Sequence, residues 1–498
     1  MNIFDTYKPF RNRIKRYDLE KSLIGFWHYA NHIIDNAPLP SNSWYFHNGY
    51  TYIPLRGQVF PWQLEIALKE LVLNCSERGD VSIDNFHNFG IILDGINKTI
   101  NAVDGTSLNQ SNIFNGIFRI LHQQIVWQAG NPFRSILRYY EIFKHPDISA
   151  LLLEKYGLDA TDIFLIAHLL LVSLKRNPYI DLHTDFTEIG IPKDLSYKLL
   201  YVLTDNIENS RDCLKKNQEY NTSWAYTKNH LRFFPLIKLK NGKIICPFPS
   251  LLHKRLTEGL YYDFVKNKDF PNPYGHSYEN HIFNVISKTF PSSYEIKKET
   301  PYTVKKNQKH GFDALIGSEN TCLLIECKTY RAPLPAKTAL GGEGFKKAIT
   351  RLNDAAIQAY NNVRDIVDGH TSWSLSDRKI VIFIITLEPW FLDGTEMFFG
   401  MDSEIEAKLK LKNFDMVLYS TIDYYICSAD QFEKFCHIAS QVGLDNFLQK
   451  TDKKSHSINN ALDGEYSSHG ENFPSTTIFE LVDKFKERVN PYFDGTQF

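Results

Sequence analysis

Glu326 and Lys328 stand one residue apart at the end of the run Thr321-Cys-Leu-Leu-Ile-Glu-Cys-Lys328. The run is apolar and β-branched enough for a central strand buried on both faces. Side chains alternate along a strand, so the acid and the ammonium share one face and Cys327 points to the other. Burying both is unfavourable unless they pair or hold a cation. A polar turn, Gly317-Ser-Glu-Asn320, joins this run to an earlier one, Phe312-Asp-Ala-Leu-Ile316. An antiparallel hairpin that pairs Gly317 with Cys322 sets Asp313 opposite Glu326. Two carboxylates side by side repel unless a divalent cation lies between them, and hard oxygen ligands suit Mg²⁺ or Mn²⁺.

A third acid precedes the hairpin. In a helix over Ser277 to Phe290 the apolar stripe is Ile282, Phe283, Ile286 and Phe290, and Glu279 falls on it at helical spacing. That position turns Glu279 toward the sheet. After the hairpin, a helix over 344–366 puts Lys347, Arg351 and Gln358 on one face. Lys305, Lys306 and Lys309, with Lys297, Lys298 and His310, form a local positive cluster able to grip phosphates. The plainer reading of such a run is a solvated face.

Acids on two adjacent strands, a Glu-x-Lys and an upstream helix Glu, here Glu279, Asp313 and Glu326-Cys-Lys328, resemble the PD-(D/E)xK nuclease superfamily. The stretch GFDALIGSENTCLLIECKTY is similar to its restriction-endonuclease-like and nuclease-related members. The resemblance covers the C-terminal half only. Asp313 follows Phe312 rather than Pro, a variation that leaves the chemistry in place.

The resemblance implies that Asp313, Glu326 and the backbone carbonyl of Cys327 hold Mg²⁺, with Mn²⁺ able to substitute, and that Glu279 completes the shell. It implies that Lys328 positions the attacking water or stabilises charge on phosphorus. Gln358 would join the site, although the Gln-x-x-x-Tyr of some relatives is not reproduced, because position 362 is Asn362. The implied activity is metal-dependent phosphodiester hydrolysis, foremost by a DNA endonuclease of restriction or antiphage defence. Such an enzyme would act as a homo-oligomer, a dimer or higher, with a separate ATPase or other defence-system subunit as a candidate partner. The alternatives are a nuclease directed at RNA or DNA ends, and a non-catalytic nucleic-acid-binding or scaffold protein indifferent to Mg²⁺.

A chain of 498 residues is expected to hold about two to four domains. The fold expected is α+β or α/β: a largely α-helical N-terminal region, then a restriction-endonuclease-like domain with a central mixed β-sheet flanked by helices. Residues 1–60 read as an aromatic-rich segment with a hairpin at Asn48-Gly49. Residues 61–230 read as an α-helical domain opened by Pro61, with helices over 114–128, 132–144, 147–156 and 160–175. Phe186 to Leu203 has a helix-turn-helix cadence, for which two packed core helices are the plainer reading. Residues 231–270 carry a hairpin at Asn241-Gly242 and a connecting helix. The break at Pro271-Asn-Pro273 opens the nuclease-like domain, 271–445, and 446–498 read as a surface loop and a docking helix over 476–488.

A net charge of -1 excludes a uniformly polycationic surface, so nucleic acid would need locally concentrated positive charge. Seven scattered cysteines without a CxxC pair argue against a disulfide framework or a structural zinc site. The sequence shows no P-loop, dinucleotide fingerprint or nucleophile elbow. No apolar run reaches the ~20 residues of a membrane span, and a reducing, cytoplasmic setting is expected.

Overall fold

The computed structural model describes residues 3–44, 46, 47, 51, 52, 55–110, 112–127, 132–338, 343–375, 377–391, 396–451, 456–469, 487 and 488. The chain forms two compact units. The first comprises Met1–Ser111, Gln123–Phe270 and Glu480–Phe498; the second comprises Asn112–His122 and Pro271–Phe479. No single helix among the described residues is long and apolar enough to cross a membrane.

The first unit is mainly helical. Its start departs from the sequence reading, because the aromatic-rich segment forms two helices, Ile3–Ile14 and Leu19–Asp35. Tyr7, Phe10 and Ile14 are buried at helical spacing, as are Leu19, Leu23, Phe26, Ala30 and Ile33. Asp18 caps the second helix by accepting the Lys21 N–H at 2.9 Å. Phe46–His47 and Thr51–Tyr52 pair antiparallel, while the Asn48-Gly49 turn lies outside the described residues. The helices Pro61–Asn74, Pro132–Phe143, Pro146–Tyr156 and Ala160–Leu174 follow the apolar periodicity closely.

The helix-turn-helix reading is corrected. Its first half is a three-residue 3₁₀ turn, Thr187–Ile189, stopped by Gly190 at φ 78°, and only Lys193–Val202 is an α-helix. The expected hairpin pairs Leu236–Lys238 with Ile244–Ile245 inside a four-stranded sheet that also contains Tyr179–Ile180 and Thr204–Asn206.

Pro61–Asn74 is buried on every side and carries charge into the first core. Glu65 accepts from Arg232 Nε at 2.5 Å and Nη2 at 2.7 Å, and from Asn229 and Trp127, both at 3.1 Å. Burial alone would raise its pKa, but Arg232 and Asn229 outweigh it and hold the carboxyl below its ordinary value.

In the second unit, helix α1 spans Pro271–Thr289, so the Pro-rich break is itself a helix start, where proline is tolerated. Strands β1 (Glu295–Lys298), β2 (Ala314–Gly317) and β3 (Thr321–Lys328) follow, then helix α2 (Glu343–Val367), β4 (Lys379–Thr386), β5 (Asp423–Ser428) and helix α3 (Ala429–Val442). They form a mixed five-stranded sheet in the order β5-β4-β3-β2-β1. β3 is central, antiparallel to β2 and parallel to β4, and buried along nearly its whole length. Lys328 pairs with Thr386 and Thr386 with Ser428, so the three parallel strands end at one level.

Residues 112–122 also pack in this unit. The Phe118 ring meets Phe345 of α2 edge-on at 5.1 Å, and His122 meets Phe391 at 5.1 Å. Within the expected C-terminal loop the chain forms a helix, Asn459–His469, whose Ala461 and Leu462 are buried. The helix expected over 476–488 lies outside the described residues except for 487 and 488. Arg488 pairs with Asp162 at 2.8 Å.

Candidate functional site

The hairpin register sets the geometry. Gly317 pairs with Cys322 and Ala314 with Ile325, and the Asp313 N–H donates to the Ile325 carbonyl at 2.9 Å. The regular ladder ends there, and the Cys327 N–H reaches back to Asp313 Oδ2, which brings the Asp313 carboxylate to the Glu326–Lys328 end of β3. On its other side Asp313 meets Glu299, whose N–H donates to the Asp313 carbonyl at 3.0 Å. Ala314 pairing with Lys298 fixes that match. Glu299 and Asp313 thus lie opposite each other at the ends of β1 and β2, and both act electrostatically on Glu326 or are acted on by it. Glu299 is absent from the sequence reading, which counts across one hairpin only. Extending the same register to the strand run Glu295–Lys298 would have found it.

Each acid has a different environment. Glu326 is only 3% exposed. Its Oε1 accepts from Lys328 Nζ at 2.5 Å, while Oε2 is buried with no partner among the described residues. Asp313 Oδ2 accepts the Cys327 N–H at 2.5 Å. Glu299 Oε1 is 2.8 Å from His310 Nδ1. Glu279 does not lie squarely on the buried stripe of α1. Tyr278, His281, Ile282, Val285 and Ile286 occupy that stripe, and Glu279 sits at its margin, half-exposed, with Oε2 at 3.1 Å from His276 Nδ1.

Electrostatics bind the set together. Burial raises the Asp313 pKa well above its usual value, and Glu326 and Glu279 add to the rise. Burial raises Glu326 as well, with Glu279 and Glu299 adding to it and Lys328 opposing. Burial works against the Lys328 ammonium, but Glu326 and Asp313 outweigh it and hold its pKa up. The Cys327 thiol is pushed far up by burial and by the same acids.

Lys328 is half-buried, and its Nζ also reaches Gln358 Oε1 of α2 at 3.3 Å. Gln358 itself is exposed. The chain beyond Lys328 is pinned: Arg331 donates to the Tyr274 hydroxyl of α1 at 3.0 Å and pairs with Glu388 at 2.9 Å, and Lys337 pairs with Glu388 at 2.8 Å. Despite burial, Lys337 and Arg331 bring Glu388 down to about 2.

Among the described residues no three His, Cys, Asp or Glu side chains converge into a ready-made metal cage. The pair Asp313–Glu326 nevertheless fits an ion held by one or two carboxylates that keeps its own waters, as Mg²⁺ does. The orphaned Glu326 oxygen and the mutual repulsion of the two acids are the features such an ion would relieve.

The positive cluster is partly spent within the fold. Lys309 pairs with Asp365 at 2.6 Å, Lys297 with Glu295 at 2.6 Å, and Lys298 donates to Asn280 at 2.5 Å. Lys309, which the sequence reading gave to nucleic acid, thus also neutralises a buried carboxylate. Lys305 and Lys306, at the turn between Tyr302–Val304 and Asn307–Lys309, are exposed, as are Lys347 and Arg351 on α2. No family model, no curated protein and no solved structure matches the chain. The site's own geometry must therefore carry the functional argument.

Proposed function

We propose that the second unit is a metal-dependent nuclease that hydrolyses phosphodiester bonds at Asp313, Glu326 and Lys328, with DNA as the first substrate to test. The observation that carries this reading is the buried, partnerless Glu326 Oε2 with a second buried carboxylate, Asp313, held by the N–H of the next residue, Cys327. A fold does not retain two such acids for stability, since their repulsion and desolvation oppose folding. Asp313, Glu326 and the Cys327 carbonyl would hold Mg²⁺ or Mn²⁺, with Glu279 and Glu299 at the margin. Such an ion, when bound, polarises a phosphate and lowers the pKa of a water.

The protein's own groups do the rest. The Cys327 N–H fixes the Asp313 carboxylate, so its orientation is set before substrate arrives. Lys328 keeps its proton because two acids surround it, and its half-exposed ammonium offers positive charge where negative charge grows on the phosphate. Gln358 holds that ammonium from the helix side. The site lies at the carboxyl ends of the three parallel strands, the end at which open α/β sheets commonly bind their ligands.

Cleavage of plasmid, linear duplex, single-stranded DNA and RNA, with Mg²⁺, Mn²⁺ or EDTA, tests the reading. Metal-dependent cutting by the wild type, lost in both Asp313→Ala and Lys328→Ala, is the expected result. Cutting that survives both substitutions, or nucleic-acid binding indifferent to metal with no cutting in any condition, would overturn it.

A further inference from the structure

Two residues beyond Lys328 the ring of Tyr330 is half-buried and stacked. Trp390 lies with ring centroids 5.4 Å apart and planes 30° apart. The Arg351 guanidinium carbon stands 4.4 Å from the Tyr330 ring centroid. Trp390 is a fixed backing, 3% exposed and part of the apolar core beside the sheet. Arg351 is the opposite, a long side chain on an exposed position of α2. The ring is thus held by a buried indole and by an exposed guanidinium.

Its place is set by the site. Gln358, which holds Lys328, and Arg351, which caps Tyr330, are seven residues apart on α2, two turns along one face and about 10 Å. Two extended residues carry the backbone at most about 7 Å from Lys328 to Tyr330. Lys347 lies one further turn along the same face and is exposed. A planar aromatic seat, a guanidinium above it and a second cation in line are the parts with which proteins hold an unstacked base and its phosphate.

We propose that Tyr330 is a stacking seat for an unpaired nucleobase next to the phosphate at Lys328, with Arg351 closing over the base. The substrate class is then a nucleic acid with a single-stranded stretch at the cleavage point, because a base inside an intact duplex cannot leave its own stack without cost. This rests on the nuclease reading and narrows its substrate.

The test is equilibrium binding of the full-length protein in EDTA, so that nothing is cut. The probes are labelled oligo-dT, oligo-U and a closed hairpin duplex, with wild type, Tyr330→Ala and Tyr330→Phe. The wild type is expected to prefer the single strands at least tenfold. Tyr330→Ala is expected to lose roughly ten- to a hundredfold in single-strand affinity with little change on duplex, and Tyr330→Phe to keep the preference. The two single-stranded probes distinguish a DNA from an RNA source. Equal binding of single strand and duplex by wild type, or a preference that survives Tyr330→Ala, overturns the stacking seat and leaves the nuclease reading intact. If wild type binds none of the three, the seat is overturned, and the cleavage assay decides the nuclease reading separately. Loss in Tyr330→Phe as great as in Tyr330→Ala would show a hydroxyl-dependent structural role and would also overturn it.

Discussion

Glu65 in the first unit and Glu326 in the second are both buried acids on regular elements, yet their surroundings differ in kind. Glu65 has a guanidinium, an amide and an indole N–H for its two oxygens, and its pKa is held down despite burial. Glu326 has one ammonium, one orphaned oxygen and further acids acting on it, and its pKa is held up. The first arrangement is complete without any ligand. The second leaves like charge uncompensated by the groups around it. Burial of charge therefore does not mark a site; an excess of like charge within the burial does.

The largest expected effect separates the two in activity. Asp313→Asn should lower metal-dependent cleavage by roughly 10²–10³-fold, as removal of a preorganised electrostatic group does, while Glu65→Gln should leave the rate near wild type. Steady-state cleavage rates under saturating Mg²⁺ measure both, and an equal loss in Glu65→Gln would break the comparison.

Next in size is stability. Glu65→Ala strips Arg232, Asn229 and Trp127 of their acceptor and should cost roughly 1–3 kcal/mol by denaturant titration. Asp313→Asn in EDTA should hold or raise the midpoint, because it removes one of two repelling charges.

The pH response should differ in sign. For Asp313 and Glu326 the folded pKa lies above the unfolded one, so the folded state binds more protons. Metal-free, their region gains stability as pH falls from neutrality toward about 4, where the unfolded acids titrate. For Glu65 the folded pKa lies below, so its contribution is present above the unfolded value and is lost as pH falls through the folded one. Hydrogen exchange of β3 and of Pro61–Asn74 amides across that range reads the two separately. Parallel slopes would sink the distinction.

The smallest effect concerns the lysines. Lys306→Ala should lower the salt dependence of nucleic-acid binding by about one unit of log–log slope. Lys309→Ala should leave that slope alone and instead destabilise the fold through Asp365.

The hairpin was legible because a short polar turn between two apolar runs admits few registers, and Gly317 opposite Cys322 is one of them. The helices Pro146–Tyr156 and Ala160–Leu174 were legible for their apolar period, the second with Asp159 as its cap. What failed has particular causes. Ile3–Ile14 and Leu19–Asp35 carry Pro9 and many aromatics, local signals against helix that tertiary burial overrides. Phe86–Ser107 is a helix that the sequence reading does not name. Gly95 is what lets it pack, since a Cβ there would lie 2.2 Å from Phe10 Cδ2. Strands of two or three residues such as Tyr179–Ile180 are too short to show alternation. Asn459–His469 is rich in poor helix formers and is held by Ala461 and Leu462 against α3. At the site, Asp313, Glu326 and Lys328 could be related by one hairpin. Glu299 needed a third strand, and Glu279 shifted because the buried stripe of α1 runs one position from the one counted.

Phe118 belongs to the core of a unit whose remainder begins at Pro271. At about 5–20 residues per second on the ribosome, its partner Phe345 emerges roughly 10–45 s later. For that interval an aromatic side chain destined for burial has no native surface to meet, and the growing chain is open to chaperones or to misassembly. A fragment cut at residue 270 would carry the same defect permanently, since the catalytic candidate's own core would lack one of its rings.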